Sequence, residues 1–134
     1  MTDVVPFLAY EDLAAAADWL GRAFGFEEVE RFEEDGELGH VTLRHGDGLL
    51  FLGSPPGYVC PRRLRERDDA VARMHETPWI LDGVWAAVGD VDAHAERARA
   101  AGARLLSEPE DSPYGRLYRV EDPEGHRWMF STGG

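Results

Sequence analysis

The residues with chemical potential in this 134-residue chain are five histidines, one cysteine and a set of aromatics crowded toward the C-terminus. An imidazole titrates near pH 6.5, so any histidine that reaches a pocket is chemically able to act as a base or a metal ligand. His40 and His45 lie on one expected strand, an odd number of residues apart, so they point to opposite faces and at most one enters a pocket. His40 is the better candidate. His126 directly follows the glycine of "DPEGHRWMF", where Pro123 and Gly125 suit a tight hairpin turn, so it is the weaker one. His75 and His94 read as solvated helix residues. Cys60 sits in a proline-rich stretch with no activating neighbour, and no serine has a nucleophile-elbow context. The aromatic residues therefore carry more of the case. Trp79, Trp85, Tyr114, Tyr118 and Trp128, with Phe7 and Phe51 nearer the N-terminus, can wall a pocket for a flat ligand. One stacked tryptophan buries roughly 150–250 Å². Arg116 and Arg119 share a strand with Tyr118 and could read a carboxylate or carbonyl. The expected ligand-binding set is Phe7, His40, Phe51, Trp79, Trp85, Tyr114, Arg116, Tyr118 and Trp128, with Tyr118 and Trp128 as the leading walls.

These residues need elements to position them. "VVPFLAY" reads as a strand. In the following "EDLAAAADWLGRAFGF", Leu13, Ala16, Ala17, Leu20, Ala23 and Phe24 recur at helical spacing, with Asp12 as N-cap and Gly25 as stop. Residues 27–54 read as three strands, with turns at Asp35-Gly36 and Gly46-Asp47-Gly48. Residues 55–78 open and close with proline and read as a linker with one short helix around Leu64 to Met74. The pattern then restarts. "LDGVWAAVGD" is a strand, "DVDAHAERARAAGA" a helix, "RLLSEPE" a strand and "GRLYRVEDPEGHRWMFST" a hairpin.

The restart is an internal repeat. Asp12 matches Asp90, Gly25 matches Gly102, Gly39 matches Gly115 and Gly48 matches Gly125, at offsets of 78, 77, 76 and 77. The unit is strand-helix-strand-strand-strand, present over residues 1–54 and 79–134 of a single domain. One helix covers one face of each sheet. The other face needs a partner or a ligand, and two such sheets side by side would curve into a cup. The expected class is α+β: paired βαβββ modules forming a cupped, mostly antiparallel sheet with helices outside.

Composition narrows the classes of partner. A formal net charge of -12 is wrong for nucleic acid, whose phosphates demand clustered Lys and Arg, and its field favours cationic ligands. No apolar run reaches the roughly 20 residues of a membrane span, and a lone cysteine fits a cytoplasmic protein.

The segments "AADWLGRAFGFEE", "GELGHVTLRHGDGLLFLG", "VGDVDAHAERARAAGA" and "PYGRLYRVEDPEGHRWMF" together resemble the vicinal oxygen chelate superfamily. That family includes glyoxalase I, extradiol dioxygenases, and fosfomycin- and bleomycin-resistance proteins. The central segment is similar to its PhnB-like branch and the last to bleomycin-resistance proteins. The resemblance implies paired βαβββ modules and, in metal-using members, His, Gln or Glu on the first and last strands of each module. Those positions fall here near Val5, Leu52, Gly83 and Met129, and a slip of one residue adds only Asp82 as a donor. The resemblance therefore implies a protein without metal or other cofactor: a homodimer that sequesters an aromatic or cationic small molecule. The alternative is a glyoxalase-like lyase or isomerase, or a dioxygenase, with a non-standard site such as His40 with Asp82, or with a histidine base.

Overall fold

The computed structural model describes residues 3–78 and 82–133, so Trp79 of the expected set lies outside the described residues. The chain divides into two units, residues 1–60 and 61–134. In the first, β1 (Phe7–Ala9) leads into α1 (Leu13–Phe24), followed by β2 (Glu27–Glu34), β3 (Glu37–His45) and β4 (Gly48–Gly53). Asp12 caps α1 by accepting from Ala15 N at 3.1 Å. Gly25 ends the helix with φ 79°, a left-handed conformation that favours glycine. The strand order is β1-β4-β3-β2, with β1 parallel to β4 and the other pairs antiparallel.

The period-2 alternation of these strands assigns the faces. Val41, Leu43, Leu50 and Leu52 are buried under Leu13, Leu20 and Phe24 of α1. Each large side chain removed from water there contributes on the order of 2 kcal/mol. Phe7, His40, Thr42 and Phe51 fall on the opposite face. β2 is the edge strand, and all eight of its residues are exposed.

The second unit begins with α2 (Pro61–Arg67) and α3 (Asp69–His75), two helices where the sequence suggested one. The break is chemical. Asp68 adopts an extended conformation and caps α3 by accepting from Ala70 N and Val71 N. Next come β5 (Gly83–Ala87), α4 (Val91–Ala100), β6 (Arg104–Leu105), β7 (Glu110–Ser112), β8 (Gly115–Glu121) and β9 (Arg127–Ser131). The strand order β5-β9-β8-β6 repeats that of the first unit, with β7 added on β8. The fold is thus α+β with the βαβββ unit present twice. The expected strand over "RLLSEPE" shrinks to two residues. Beyond it the ladder is irregular: Leu106 N and Ser107 N both donate to Arg119 O, and Pro109 has no N–H to offer.

The "DPEG" segment is a hairpin turn. Gly125 N donates to Asp122 O at 2.9 Å, and Asp122 Oδ1 accepts from Glu124 N and His126 N. Gly125 has φ 94°, and a Cβ there would lie 2.7 Å from Arg62 N, because α2 docks directly on this turn. No helix among the described residues is long and apolar enough to cross a membrane.

Candidate functional site

Strand pairing divides the second sheet into two faces, and this division corrects several expectations. One face lies under α4 and holds Tyr118, Val120, Trp128 and Phe130. Tyr118 is 0% exposed and Trp128 2%, so the two leading wall candidates are core. Tyr118 Oη lies 2.6 Å from His94 Nδ1, and burial pushes the phenol's pKa up. The Trp128 ring is stacked on Phe130, and its Nε1 donates to Asp122 Oδ2 at 3.1 Å. His94, read as solvated, packs its ring 4.1 Å from Phe130. Arg116 also belongs to this side. Its Nε and Nη2 donate to Asp92 on α4 at 2.7 and 2.9 Å, and Nη1 reaches Asp111. Those hydrogen bonds hold the Asp92 carboxyl below its ordinary pKa.

The source of the error is a slip of one residue. His40 pairs with Gly53, and Leu117 pairs with Ser131; Thr42 pairs with Phe51, and Arg119 with Met129. The second-unit counterpart of His40 is therefore Leu117, not Arg116. A one-residue slip moves every side chain to the other face.

The open face of the second sheet carries the candidate site. Trp85, Met129 and Arg119 form one row across β5, β9 and β8. Trp85 is 48% exposed. A cavity of about 720 Å³ is lined by Trp85, Tyr114, Leu117, Arg119, Met129 and Ser131. A smaller one of about 160 Å³ shares Trp85, Arg119 and Met129 and adds Pro78, Leu106 and Arg127. Of the expected residues, Trp85 and Tyr114 meet at the larger cavity. Arg119, which the sequence singled out for a carboxylate or carbonyl, lines it too; Leu117, Met129 and Ser131 stand outside the expected residues, yet strict alternation from Trp85 and its pairing register would have found them.

Below this row the open face is covered by the linker helices. Arg65 Nη1 of α2 donates to both Glu121 oxygens at 2.8 and 2.7 Å. Arg127 donates to Glu121, to Thr77 O and, at 2.6 Å, to His75 O at the end of α3. His75, read as solvated, is buried at 6% exposure. Its pKa is lowered, first by burial and then by Arg127 and Arg65. His126 and Asp82 border a separate cavity of about 380 Å³ between the linker helices and the hairpin turn.

The first unit presents a smaller set on its open face. His40 Nε2 lies 2.7 Å from Thr42 Oγ1, and its ring meets Phe51 edge-on at 5.2 Å. Phe7 pairs with Phe51 and lies over Gly53, where a Cβ would come within 2.7 Å of the ring. Phe7, His40 and Phe51 are thus brought together. Among the described residues, the hydrogen-bond partner of His40 is a hydroxyl, so no carboxylate orients it as a base.

The same registers test the metal sites that this fold family implies. On the first and last strands, the open-face residues are Phe7, Ala9, Leu49, Phe51 and Gly53 in one unit. They are Gly83, Trp85, Ala87, Arg127, Met129 and Ser131 in the other. None offers a carboxylate or an imidazole, and the single thioether is a soft, weak ligand. These positions do not fit a divalent ion of that kind.

Comparison with known proteins agrees with the topology. The model of the Glyoxalase/Bleomycin resistance protein/Dioxygenase superfamily matches residues 4–130. An uncharacterized protein of Mycobacterium bovis is 33% identical over 92% of this chain and 78% of its own length. The crystal structure of TioX from a Micromonospora species superposes with TM-score 0.71 at 31% identity, covering 99% of this chain and 97% of that one. The bleomycin-binding protein of Streptomyces verticillus, complexed with copper(II)-bleomycin, shares the fold at TM-score 0.62 and 23% identity, covering 100% and 98%.

Proposed function

Because the chain belongs to the glyoxalase/bleomycin resistance protein/dioxygenase superfamily, we propose that it is one of its metal-free binding proteins, a homodimer that sequesters a flat aromatic molecule without turning it over. The observation that carries this reading is the Trp85–Met129–Arg119 row, which borders a cavity of about 720 Å³. Pockets for drug-sized ligands run about 300–1,000 Å³ with apolar walls and few polar groups, and sequestration asks for nothing more. Among the described residues, no carboxylate or imidazole stands on the open face of the first and last strands, where the metal ligands of such members are expected. A cationic ligand, the other option the net charge suggested, has less support at this face, where arginines border both cavities.

Tryptophan fluorescence titrated with quinones, glycopeptides and aminoglycosides tests the reading. Quenching should be saturable for the planar compounds, and Trp85→Ala should weaken it by about 30-fold, the loss of about 2 kcal/mol typical of a buried aromatic anchor. Absence of quenching across the panel would count against it. So would a divalent ion bound near one equivalent per chain, which would favour lyase, isomerase or dioxygenase chemistry instead.

A further inference from the structure

The open face of the first unit carries a charge pattern of its own. Residues that pair directly across two strands share a face. Between the two irregularities of β2, Glu30 pairs with Thr42, Arg31 with Val41 and Phe32 with His40. Glu30 and Phe32 therefore stand on the face of His40 and Thr42, and Arg31 stands on the α1 side with Val41. Thr42 and His40 pair in turn with Phe51 and Gly53. The His40 ring is tied to Thr42 at 2.7 Å, and Phe51 meets it edge-on from one flank. The Phe7 ring lies over Gly53 and closes the next place in that row. Phe32, 59% exposed, stands on the other flank. Neighbouring strands lie about 4.8 Å apart, so flanks two strands apart are separated by about 10 Å, room for a small organic ion.

The charges on this face do not cancel. Arg44 shares the face but is bonded to Glu27 at 2.8 Å. Arg31 is held on the other face by Glu28 at 2.9 Å. Glu30 makes no side-chain hydrogen bond or ion pair with any described residue, so its carboxylate stands uncompensated beside the rings. The wider field has the same sign, since β2 holds five glutamates against one arginine in a chain of formal charge -12. We propose that this face is a second binding site, for a quaternary ammonium ion lying over His40 between Phe51 and Phe32, with its charge opposed by Glu30. Aromatic rings attract such cations, which have no N–H to satisfy. A primary ammonium brings three donors, and here His40 Nε2 and Thr42 Oγ1 are already bonded to each other. The site does not depend on the aromatic-binding reading of the second unit.

Choline and neohexanol, its uncharged carbon isostere, test the site. Each is titrated into the isotope-labelled full chain in mildly alkaline buffer, and backbone amide shifts report where it binds. Choline should shift residues around Glu30, Phe32, His40 and Phe51 and bind about fivefold or more tighter than neohexanol. Added salt should weaken choline alone. Phe32→Leu, which keeps bulk but removes the ring, should weaken choline by about threefold and leave neohexanol unchanged. Glu30→Gln should remove most of the salt dependence. Both positions are exposed, and circular dichroism checks that the variants fold. Equal binding of the two probes overturns the site. So does a choline response confined to the second unit, none at a few tens of millimolar, or an unchanged preference in both folded variants. A variant that alters the particle mass on a sizing column also overturns it, by making this face a contact between copies. None of these outcomes bears on quenching by planar compounds, which tests the second unit alone.

Discussion

Asp122 shows how much one side chain can organise. Its Oδ1 accepts from two backbone N–H groups of the hairpin turn and its Oδ2 from the Trp128 indole, all in a site 4% exposed. Removing it strands the buried indole donor and two part-buried backbone donors, each costing about 1 kcal/mol. Asp122→Ala should therefore lower unfolding free energy by about 3 kcal/mol in urea titrations followed by tryptophan fluorescence. A loss below about 1 kcal/mol would contradict this role. The turn itself was legible in the sequence, because Pro and Gly constrain φ at fixed places. The role of Trp128 was not. Aromatic type says that a residue will be buried or will stack, and the face on which it does so depends on strand register. Tyr118, Trp128 and Arg116 were misassigned for that single reason, whereas Trp85, whose strand begins at Gly83, sits on the open face.

Among the elements, the linker helices were the hardest to read. Their amphipathic pattern is short, and their docking depends on long-range contacts: Arg65 to Glu121, Arg127 to the carbonyls of His75 and Thr77, and Arg62 Nε to Pro123 O at 2.8 Å. The well-read helix α1 had its start and stop signals, Asp12 and Gly25, in the local sequence. Docking of α3 buries His75 in its neutral form, since burial and the nearby Arg127 and Arg65 depress its pKa below 6.5 while Glu121 opposes them. The unfolded chain protonates this imidazole near pH 6.5, before the folded one does. The stability gained by neutral burial is therefore intact above about pH 6.5 and is lost as pH falls below it toward the lower folded value. Melting temperatures measured from pH 7.5 downward should fall less steeply in His75→Gln than in wild type. Identical slopes would show that His75 is not the coupled group.

At the scale of the whole molecule, the repeat was readable because its punctuation is chemical: Asp caps at Asp12 and Asp90, and positive-φ glycines at Gly25 and Gly102. Its fine register was not, since those markers locate helix ends and turns to within a residue, and one residue inverts a strand. The proposed homodimer answers to the same molecule-wide view. Phe7, Trp85 and Tyr114 are 57%, 48% and 81% exposed, large apolar side chains that a second copy could cover. Light scattering on a sizing column at micromolar concentration should give twice the mass of one chain. A single-chain mass there would remove the dimer from the proposal.

The bare edge of the first sheet has its own consequence for how copies of the protein treat one another. β2 holds five glutamates against one arginine, and all of it faces solvent. Unpaired strand edges are templates for fibrils, and inserted charge is a recurrent defence. Two such edges brought together would oppose ten carboxylates with two guanidiniums. The acidity that looked like a clue to the ligand also serves as a fence. It is lowered by salt, which screens charges at the surface, so high ionic strength is the condition under which this fold is most exposed to strand-by-strand aggregation.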